Sequence, residues 1–228
     1  TIFTDITKEK RSFEQLENPS CNLASEIFSD DGELLGYIGV QNRTNVEYKD
    51  IPPSLLNALK ATEDVRFEEH SGIDTKSLFR VLFKTIIGRQ HSGGGSTITQ
   101  QLAKNLFPRD HASIFTTPYY KLKEWIVAVK LERRYSKQEI ISMYLNTVDY
   151  GSNAFGIKTA AETYFGKLPS ELTLDESAVL IGLLKAPTTY NPVRLPQKAI
   201  DRRNTVLAQM NKYNFLSDAD YQKAITTP

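Results

Sequence analysis

The sequence predicts a mainly α-helical protein with one small β element near its N-terminus. Helix start signals recur from residue 52 onward, whereas only residues 24–40 have the mixed apolar pattern of a strand pair. There is no β-α-β rhythm and no internal repeat, which argues against a doubly wound fold and a solenoid. We expect residues 1–50 to form a hairpin segment that packs on one domain formed by residues 51–228.

The elements are predicted in order along the chain. Two apolar runs flank the turn signal Asp30-Asp31-Gly32 in ASEIFSDDGELLGYIGV, which predicts a hairpin. A first helix is expected at Pro52-Pro53 and a second from a cap at Asp74 to Gly88. Later helix starts are indicated by Pro118, by the capping boxes Ser136–Glu139 and Thr173–Glu176, by Pro196 and by Ser217.

Composition excludes several classes of protein. The 228 residues carry a formal net charge of +1, so no bulk electrostatic attraction to nucleic acid is expected. One cysteine allows neither an intrachain disulfide nor a CxxC metal site, and the three histidines are too widely spaced for a zinc motif. No run of about 18 apolar residues occurs, so no membrane span is expected within this sequence.

A Glu-Asp pair closes the first predicted helix, in ATEDVRFEEHSG. Adjacent helical side chains point about 100° apart, so Glu63 and Asp64 cannot serve one site equally. We expect one to act chemically while the other pairs with Arg66 or orients His70. For an arbitrary Glu-Asp pair, a solvated ion pair is the commoner outcome. The pair alone therefore does not show whether Glu63 and Asp64 form a surface ion pair or part of a catalytic site.

A glycine-rich loop, QHSGGGS, leads into the predicted helix ITQQLAKNLF. The first turn of a helix exposes unpaired N–H groups and a partial positive charge, which suit an anion. No Gly-Lys-Ser/Thr follows, so this is not a P-loop, and such a loop alone is commonly only a flexible turn. The helix that follows has one polar face, either solvated or suited to a sugar and a phosphate, formed by Thr97, Gln100, Gln101 and Lys104.

Two further segments have both a structural and a functional interpretation. Glu124 lies one turn after Lys121. It either forms a surface ion pair with that lysine or is the second carboxylate that glycosyl chemistry needs.

Residues 77–87, SLFRVLFKTII, interleave apolar and basic side chains. They fit a buried helix with snorkelling stems, or a helix lying at a lipid interface.

Together these stretches resemble the peptidoglycan glycosyltransferase domain, family 51, of class A penicillin-binding proteins and monofunctional transglycosylases. The resemblance runs from about residue 24 over nearly the whole chain, and several ordered motifs are more specific than one. The motifs are Glu63-Asp64-x-x-Phe67-x-x-His70-x-Gly72, Gly94 to Gln101 with Leu102 to Asn105, Lys121-x-x-Glu124, Arg134 to Lys137 with Tyr144-Leu145-Asn146, and Gly151, Gly156-Ile157 and Tyr164 to Lys167.

The resemblance implies a lysozyme-like fold with a larger lobe around a catalytic cleft and a small membrane-facing lobe. It implies polymerisation of lipid II into glycan strands for the bacterial cell wall, with inversion and release of undecaprenyl pyrophosphate. Expected partners are lipid II, the growing glycan strand, membrane lipid and cell-wall synthesis proteins, but not nucleic acid. The expected location is the outer face of the cytoplasmic membrane, with the anchor outside this sequence.

The resemblance also implies roles for individual residues. Glu63 is the expected general base, and Glu124 is expected to hold a divalent metal, Mg or Mn, or to orient the lysines. Tyr120 replaces the basic residue that the family usually has before Lys121, so the pyrophosphate contact expected there is either absent or supplied by Lys123, Arg109 or another cation. Substrate binding is expected of Asp64, Phe67, His70, Ser96, Thr97, Gln100, Gln101, Lys104, Asn105 and Lys121.

Two alternatives from other classes remain at this point. A lysozyme-like hydrolase could use the same two acids to cleave glycan, but it needs neither a phosphate-binding loop nor a lipid-facing helix. A non-catalytic module that binds cell wall or lipid would tolerate the loss of Glu63. The sequence has no Ser-x-x-Lys or Lys-Thr-Gly motif, so no transpeptidase is expected within it.

Overall fold

The computed structural model describes residues 25–28, 34–38, 45–86, 95–107 and 117–227. Near the N-terminus, Ser25–Phe28 (β1) and Leu34–Ile38 (β2) pair antiparallel, with Ser25 opposite Ile38 and an irregularity after Ile27. The predicted turn at Asp30-Asp31-Gly32 lies outside the described residues. The packing of the strand pair on the rest of the chain stays a prediction.

From Asn45 onward the chain forms a separate, helical unit. Short 3-10 turns occur at Tyr48–Asp50, Phe67–Glu69 and Pro169–Glu171. The described α-helices are α1 Pro53–Glu63, α2 Thr75–Ile86, α3 Ile98–Leu106, α4 Thr117–Arg134, α5 Lys137–Thr147, α6 Ile157–Phe165, α7 Leu174–Leu183, α8 Pro196–Lys212 and α9 Asp218–Thr226. The prediction of a mainly helical fold is confirmed.

The helices begin where local chemistry favours a start. Pro53 and Pro196 occupy the first turns of α1 and α8, where a missing N–H costs nothing. The capping boxes predicted at Ser136 and Thr173 are both formed, so their side chains satisfy N–H groups of the first turns of α5 and α7. Ser217 accepts from the backbone of Asp220 and caps α9.

The core has two packed groups of helices. The first is formed by α1, α7 and α8, which bury Leu55, Leu59 and Leu180. The second is formed by α3, which packs against α4 and α5 and buries Ile98 and Leu102. Because these apolar faces leave water completely, the end of α1 and the start of α3 have fixed positions, and these two ends carry the candidate site.

Some predictions lie outside the described residues. They include Gly88, most of the glycine-rich loop and most of the segment 107–117, of which only Gly95, Ser96, Phe107 and Thr117 are described. In the part of the chain that is described, no helix is long and apolar enough to cross a membrane. The small membrane-facing lobe stays a prediction.

Candidate active site

Glu63 is the last residue of α1 and is half-buried. Its Oε2 accepts a hydrogen bond of 2.8 Å from Nε2 of Gln101, in α3. The Oε1 of Gln101 in turn accepts one of 2.9 Å from the hydroxyl of Tyr144, in α5. The carboxylate is therefore held on one oxygen, while its Oε1 has no hydrogen-bond partner among the described residues.

Asp64 is buried next to Glu63 and orients His70. Nε2 of His70 lies 3.0 and 3.1 Å from the two carboxylate oxygens of Asp64, and the backbone N–H of Gly72 donates to Nδ1 over 3.2 Å. Because Nδ1 accepts, the proton of the neutral ring is on Nε2 and is donated to Asp64. The backbone N–H of Ile98 donates to Asp64 as well, at 3.1 Å.

Of the two partners expected for Asp64, the structure therefore has His70. Arg66 pairs instead with Asp74, which caps α2 by accepting from the backbone N–H of Ser77 at 3.1 Å. Asp64 is thus a structural carboxylate that joins the end of α1 to the start of α3. Its buried position leaves Glu63 as the carboxylate that is accessible at this end of α1.

The polar residues that begin α3 are turned inward. The carbonyl oxygen of Gly72 accepts from the Thr97 hydroxyl at 2.8 Å and from Nε2 of Gln100 at 3.1 Å. Thr97 also caps α3 by accepting from the backbone N–H of Gln100. Thr97 and Gln100 are each only 2% exposed, so the interpretation of a solvated face is wrong for these two positions.

The second predicted carboxylate, Glu124, lies in α4 and is 7% exposed. Lys121 donates to its Oε2 at 2.9 Å and to the Ser96 hydroxyl at 2.8 Å. The lysine therefore joins α4 to the residues that precede α3. The carboxylate is buried and the lysine is partly exposed, so the pair is not the fully exposed surface ion pair of the structural interpretation.

A cavity of about 190 Å³ lies beside Lys121. It is lined by Ile73, Asp74, Leu78, Gly95, Ser96, Gln100, Lys121 and Trp125. Glu63 is not part of this lining, so the cavity belongs to the Lys121 side of the site. Its volume is below the roughly 300 Å³ of a typical small-molecule pocket but is large enough for a group the size of a phosphate.

The described residues offer few ligands for a metal ion. Within the described ranges, no three His, Cys, Asp or Glu side chains come together as ligands. A metal held by protein ligands alone therefore does not fit this part of the chain. Magnesium is often bound by one or two carboxylates together with substrate phosphates, and Glu124 could supply one such carboxylate.

The remaining predicted residues are less closely tied to the site. Lys104 and Asn105 are exposed near the end of α3, and Phe67 is completely buried. Lys123 lies 5.7 Å from the ring centre of Phe107, and Arg109 is outside the described residues. Tyr120, which replaces a basic residue, packs edge-on against Tyr119, with the two ring centres 5.6 Å apart.

Sequence reasoning gave no role to Lys137, although it lies in the Arg-Tyr-Ser-Lys motif. Its Nζ donates to the carbonyl oxygen of His70 at 2.6 Å and contacts both carboxylate oxygens of Glu132, at 2.9 and 2.8 Å. It also lies 4.2 Å from the ring centre of Phe67. Lys137 thereby fixes the segment 67–70, and its motif was the only signal in the sequence.

Arg202, in α8, was also missed and had no signal in the sequence. Its stem passes over Gly182, where an added Cβ would lie 3.0 Å from the arginine Cγ, and its guanidinium lies 5.8 Å from the ring centre of Tyr190. Burial lowers the pKa of Arg202, and the negative charge of Glu63 opposes that shift. Glu63 therefore has a positive charge in its surroundings.

Known proteins that are similar to this chain belong to one family. The family model described as Transglycosylase matches residues 31–211, well over half of the chain. Penicillin-binding protein 1A of Aquifex aeolicus is 42% identical over 205 residues, covering 90% of this chain and 28% of that protein. Penicillin-binding protein 1A of Escherichia coli is 38% identical over 211 residues, covering 92% and 24%.

A solved structure is similar as well. The crystal structure of penicillin-binding protein 1A from Haemophilus influenzae matches with a TM-score of 0.53 and 28% sequence identity, covering 89% of this chain and 20% of that one. The chain thus spans about a quarter of the length of the curated relatives it matches. The resemblance inferred from the motifs is confirmed, and the chain belongs to the transglycosylase family.

Proposed function

We propose that this chain is a peptidoglycan glycosyltransferase domain that polymerises lipid II into glycan strands. Its family membership gives the class of reaction, transfer of a glycosyl group. The relatives it resembles are named penicillin-binding proteins, which favours a role in bacterial cell-wall synthesis. The domain would act at the outer face of the cytoplasmic membrane, where its lipid-linked substrate is presented.

The observation that carries this proposal is the geometry of Glu63. One carboxylate oxygen is held by Gln101 at 2.8 Å, and the other oxygen has no described partner on a half-buried side chain. A fixed carboxylate with one available oxygen suits a general base. Glu63 would remove the proton from the 4-hydroxyl of the acceptor N-acetylglucosamine as that oxygen attacks the anomeric carbon of the growing strand.

The leaving group is undecaprenyl pyrophosphate, and the negative charge that develops on it needs cationic or hydrogen-bonding partners. Lys121 and Ser96 border the cavity of about 190 Å³, which has room for a phosphate. The buried Oε1 of Gln100, another lining residue, has no partner among the described residues and could accept from a sugar hydroxyl. Glu124 would be a ligand for a divalent metal, whose positive charge would offset part of this negative charge.

Contact with the membrane is supported by exposed apolar side chains close to basic ones. Phe79 in α2 is 73% exposed and lies between Lys76 and Arg80, which are exposed as well. Leu122, at the start of α4, is 48% exposed. Apolar groups flanked by cations suit an interface with anionic headgroups, so we propose that these two helices face the lipid.

The test is polymerisation of labelled lipid II in detergent, with and without a divalent metal. We expect the wild-type chain to produce long glycans that lysozyme degrades. Glu63→Gln should lower the rate by about 10²–10⁴-fold, the usual worth of general-base catalysis. The matched control is Glu69→Gln, the same change at an exposed glutamate six residues further on, which should keep wild-type activity.

Other outcomes would separate the alternatives. Cleavage of preformed glycan without synthesis would indicate a hydrolase. Binding of lipid II that is unchanged in Glu63→Gln, with no reaction in either protein, would indicate a binding module. Full activity of Glu63→Gln would refute its role as the base.

A further inference from the structure

We propose that Tyr144 is a positioning residue that holds Glu63 in its reactive orientation through the side-chain amide of Gln101. The proposal rests on the glycosyltransferase function proposed above, in which Glu63 is the base. The three side chains come from three different helices, α1, α3 and α5. We call them the base relay: Glu63, Gln101 and Tyr144.

The direction of both hydrogen bonds follows from the chemistry of the groups. An ionised carboxylate can only accept, so the amide group that faces Glu63 at 2.8 Å is the NH₂ of Gln101. The carbonyl oxygen of the amide then faces Tyr144 at 2.9 Å, and it too can only accept. The hydroxyl of Tyr144 is therefore the donor, and together with the carboxylate of Glu63 it fixes the orientation of the amide.

Tyr144 is well suited to remain a donor. It is only 1% exposed, and burial raises its pKa well above the ordinary value. The negative charge of Glu63 raises the pKa of Tyr144 further, because a second negative charge nearby is unfavourable. The hydroxyl of Tyr144 therefore keeps its proton, and remains a donor, at neutral pH.

Removal of that hydroxyl would affect Glu63 without a direct contact. The carbonyl oxygen of Gln101 would lose its donor inside the protein, which is costly for a polar group away from water. The amide would then be held on one side only, by its bond to the carboxylate, and its plane could rotate. The bond that fixes Oε2 of Glu63 would become longer or less well aligned, so the carboxylate would be oriented less precisely.

Arg202, in the packed helix α8, is a charged group whose field reaches Glu63. It is held separately from the base relay, by the carbonyl oxygen of Gly182 at 3.4 Å and by Tyr190. Asp64, next to Glu63, is occupied by His70 and Ile98. Loss of the Tyr144 hydroxyl should therefore change the orientation of Glu63 and leave its charged surroundings intact.

The chain offers a matched pair of variants. Tyr144 and Tyr150 are both buried, at 1% and 0% exposed, but the hydroxyl of Tyr150 has no hydrogen-bond partner among the described residues. In the lipid II assay we expect Tyr144→Phe to lower kcat about tenfold or more with little change in KM, since a misplaced catalytic group slows the chemical step. Tyr150→Phe should keep the wild-type kcat.

Non-additivity shows whether Tyr144 acts through Gln101. Gln101→Ala removes the middle of the base relay, so the double variant Tyr144→Phe/Gln101→Ala should be no slower than Gln101→Ala alone. Losses that multiply in the double variant would overturn the proposal. So would a Tyr144→Phe enzyme as fast as Tyr150→Phe.

A second measurement does not depend on activity. The side-chain NH₂ of Gln101 can be observed by ¹⁵N NMR and assigned by its loss in Gln101→Ala. We expect its hydrogens to exchange with solvent several-fold faster in Tyr144→Phe than in the wild type or in Tyr150→Phe. Unchanged exchange would refute the base relay, whereas a wild-type chain that makes no glycan would refute only the proposed function.

Discussion

Asp74 illustrates at the scale of one residue how a carboxylate can be stabilised in its charged form. It is 8% exposed, and it accepts hydrogen bonds from the guanidinium of Arg66 and from the backbone N–H of Ser77. Burial alone would raise its pKa, but these hydrogen bonds outweigh burial and hold the pKa well below its ordinary value. The charged form of Asp74 therefore stabilises the folded state.

The sign of the pH dependence follows from that direction. A group whose pKa is lowered by folding stabilises the protein above its unfolded-state pKa, here about 4, and this contribution is lost as the pH falls below that value. Asp74→Asn should therefore lower the free energy of unfolding by about 1–3 kcal/mol at pH 7. Urea denaturation should show the gap to wild type shrinking between pH 4 and pH 2, and a gap that stays constant would contradict this account.

At the scale of elements, the sequence predicted the helix starts well because their signals are local. Pro53, Ser136 and Thr173 act on N–H groups within a few residues of themselves, so no knowledge of the fold is needed. The cap at Asp74 was predicted from the same kind of signal, and its hydrogen bond to Ser77 is present.

The base relay could not be predicted in this way. Gln101 lies 38 residues from Glu63 and 43 residues from Tyr144, so their contact depends on how α1, α3 and α5 pack. The motifs identified Glu63 and Gln101 as candidate site residues. They gave no information on which side chains of the site contact each other.

Gly72 lies in the segment after α1 and packs closely against the backbone of α4. Replacing Gly72 tests this contact. Its φ is +89°, and an added Cβ would lie 2.9 Å from the backbone carbon and oxygen of Ala128, which cannot move independently of the helix. The matched control is Gly166, with φ +64° and no heavy atom within 4 Å of an added Cβ.

We expect Gly166→Ala to cost only the strain of a left-handed alanine, roughly 1 kcal/mol. Gly72→Ala should cost several times as much, because strain at a positive φ is combined there with a backbone clash. Thermal unfolding followed by circular dichroism measures both. Equal melting temperatures for the two variants would mean that α4 moves aside readily.

At the scale of the whole helical unit, one buried cluster joins four segments around the site. Glu132 of α4 accepts from Thr99 of α3 at 2.6 Å and pairs with Lys137 of α5. Lys137 also donates to the carbonyl oxygen of His70, in the segment after α1. Since the side chain of Glu132 is only 4% exposed, its charge depends on Lys137 for compensation.

Lys137→Met should therefore destabilise the whole unit. The charge of Glu132 would remain buried with only a hydroxyl as donor, and breaking a buried pair typically costs about 3–5 kcal/mol. For a chain of this size that lowers the melting temperature by roughly 10 °C. Lys185→Met, at an exposed lysine, is the control and should melt within about 2 °C of wild type, as surface changes do.

The double variant Lys137→Met/Glu132→Gln separates loss of charge balance from loss of packing. It removes both charges, so we expect it to melt above Lys137→Met even though it carries one more substitution. The cation–π contact of Lys137 with Phe67 is lost in the single and in the double variant. Any rise in melting temperature of the double variant above Lys137→Met therefore comes from the change at Glu132. If the double variant melted lower than Lys137→Met, the cluster would be held by hydrogen bonds and packing rather than by its charges.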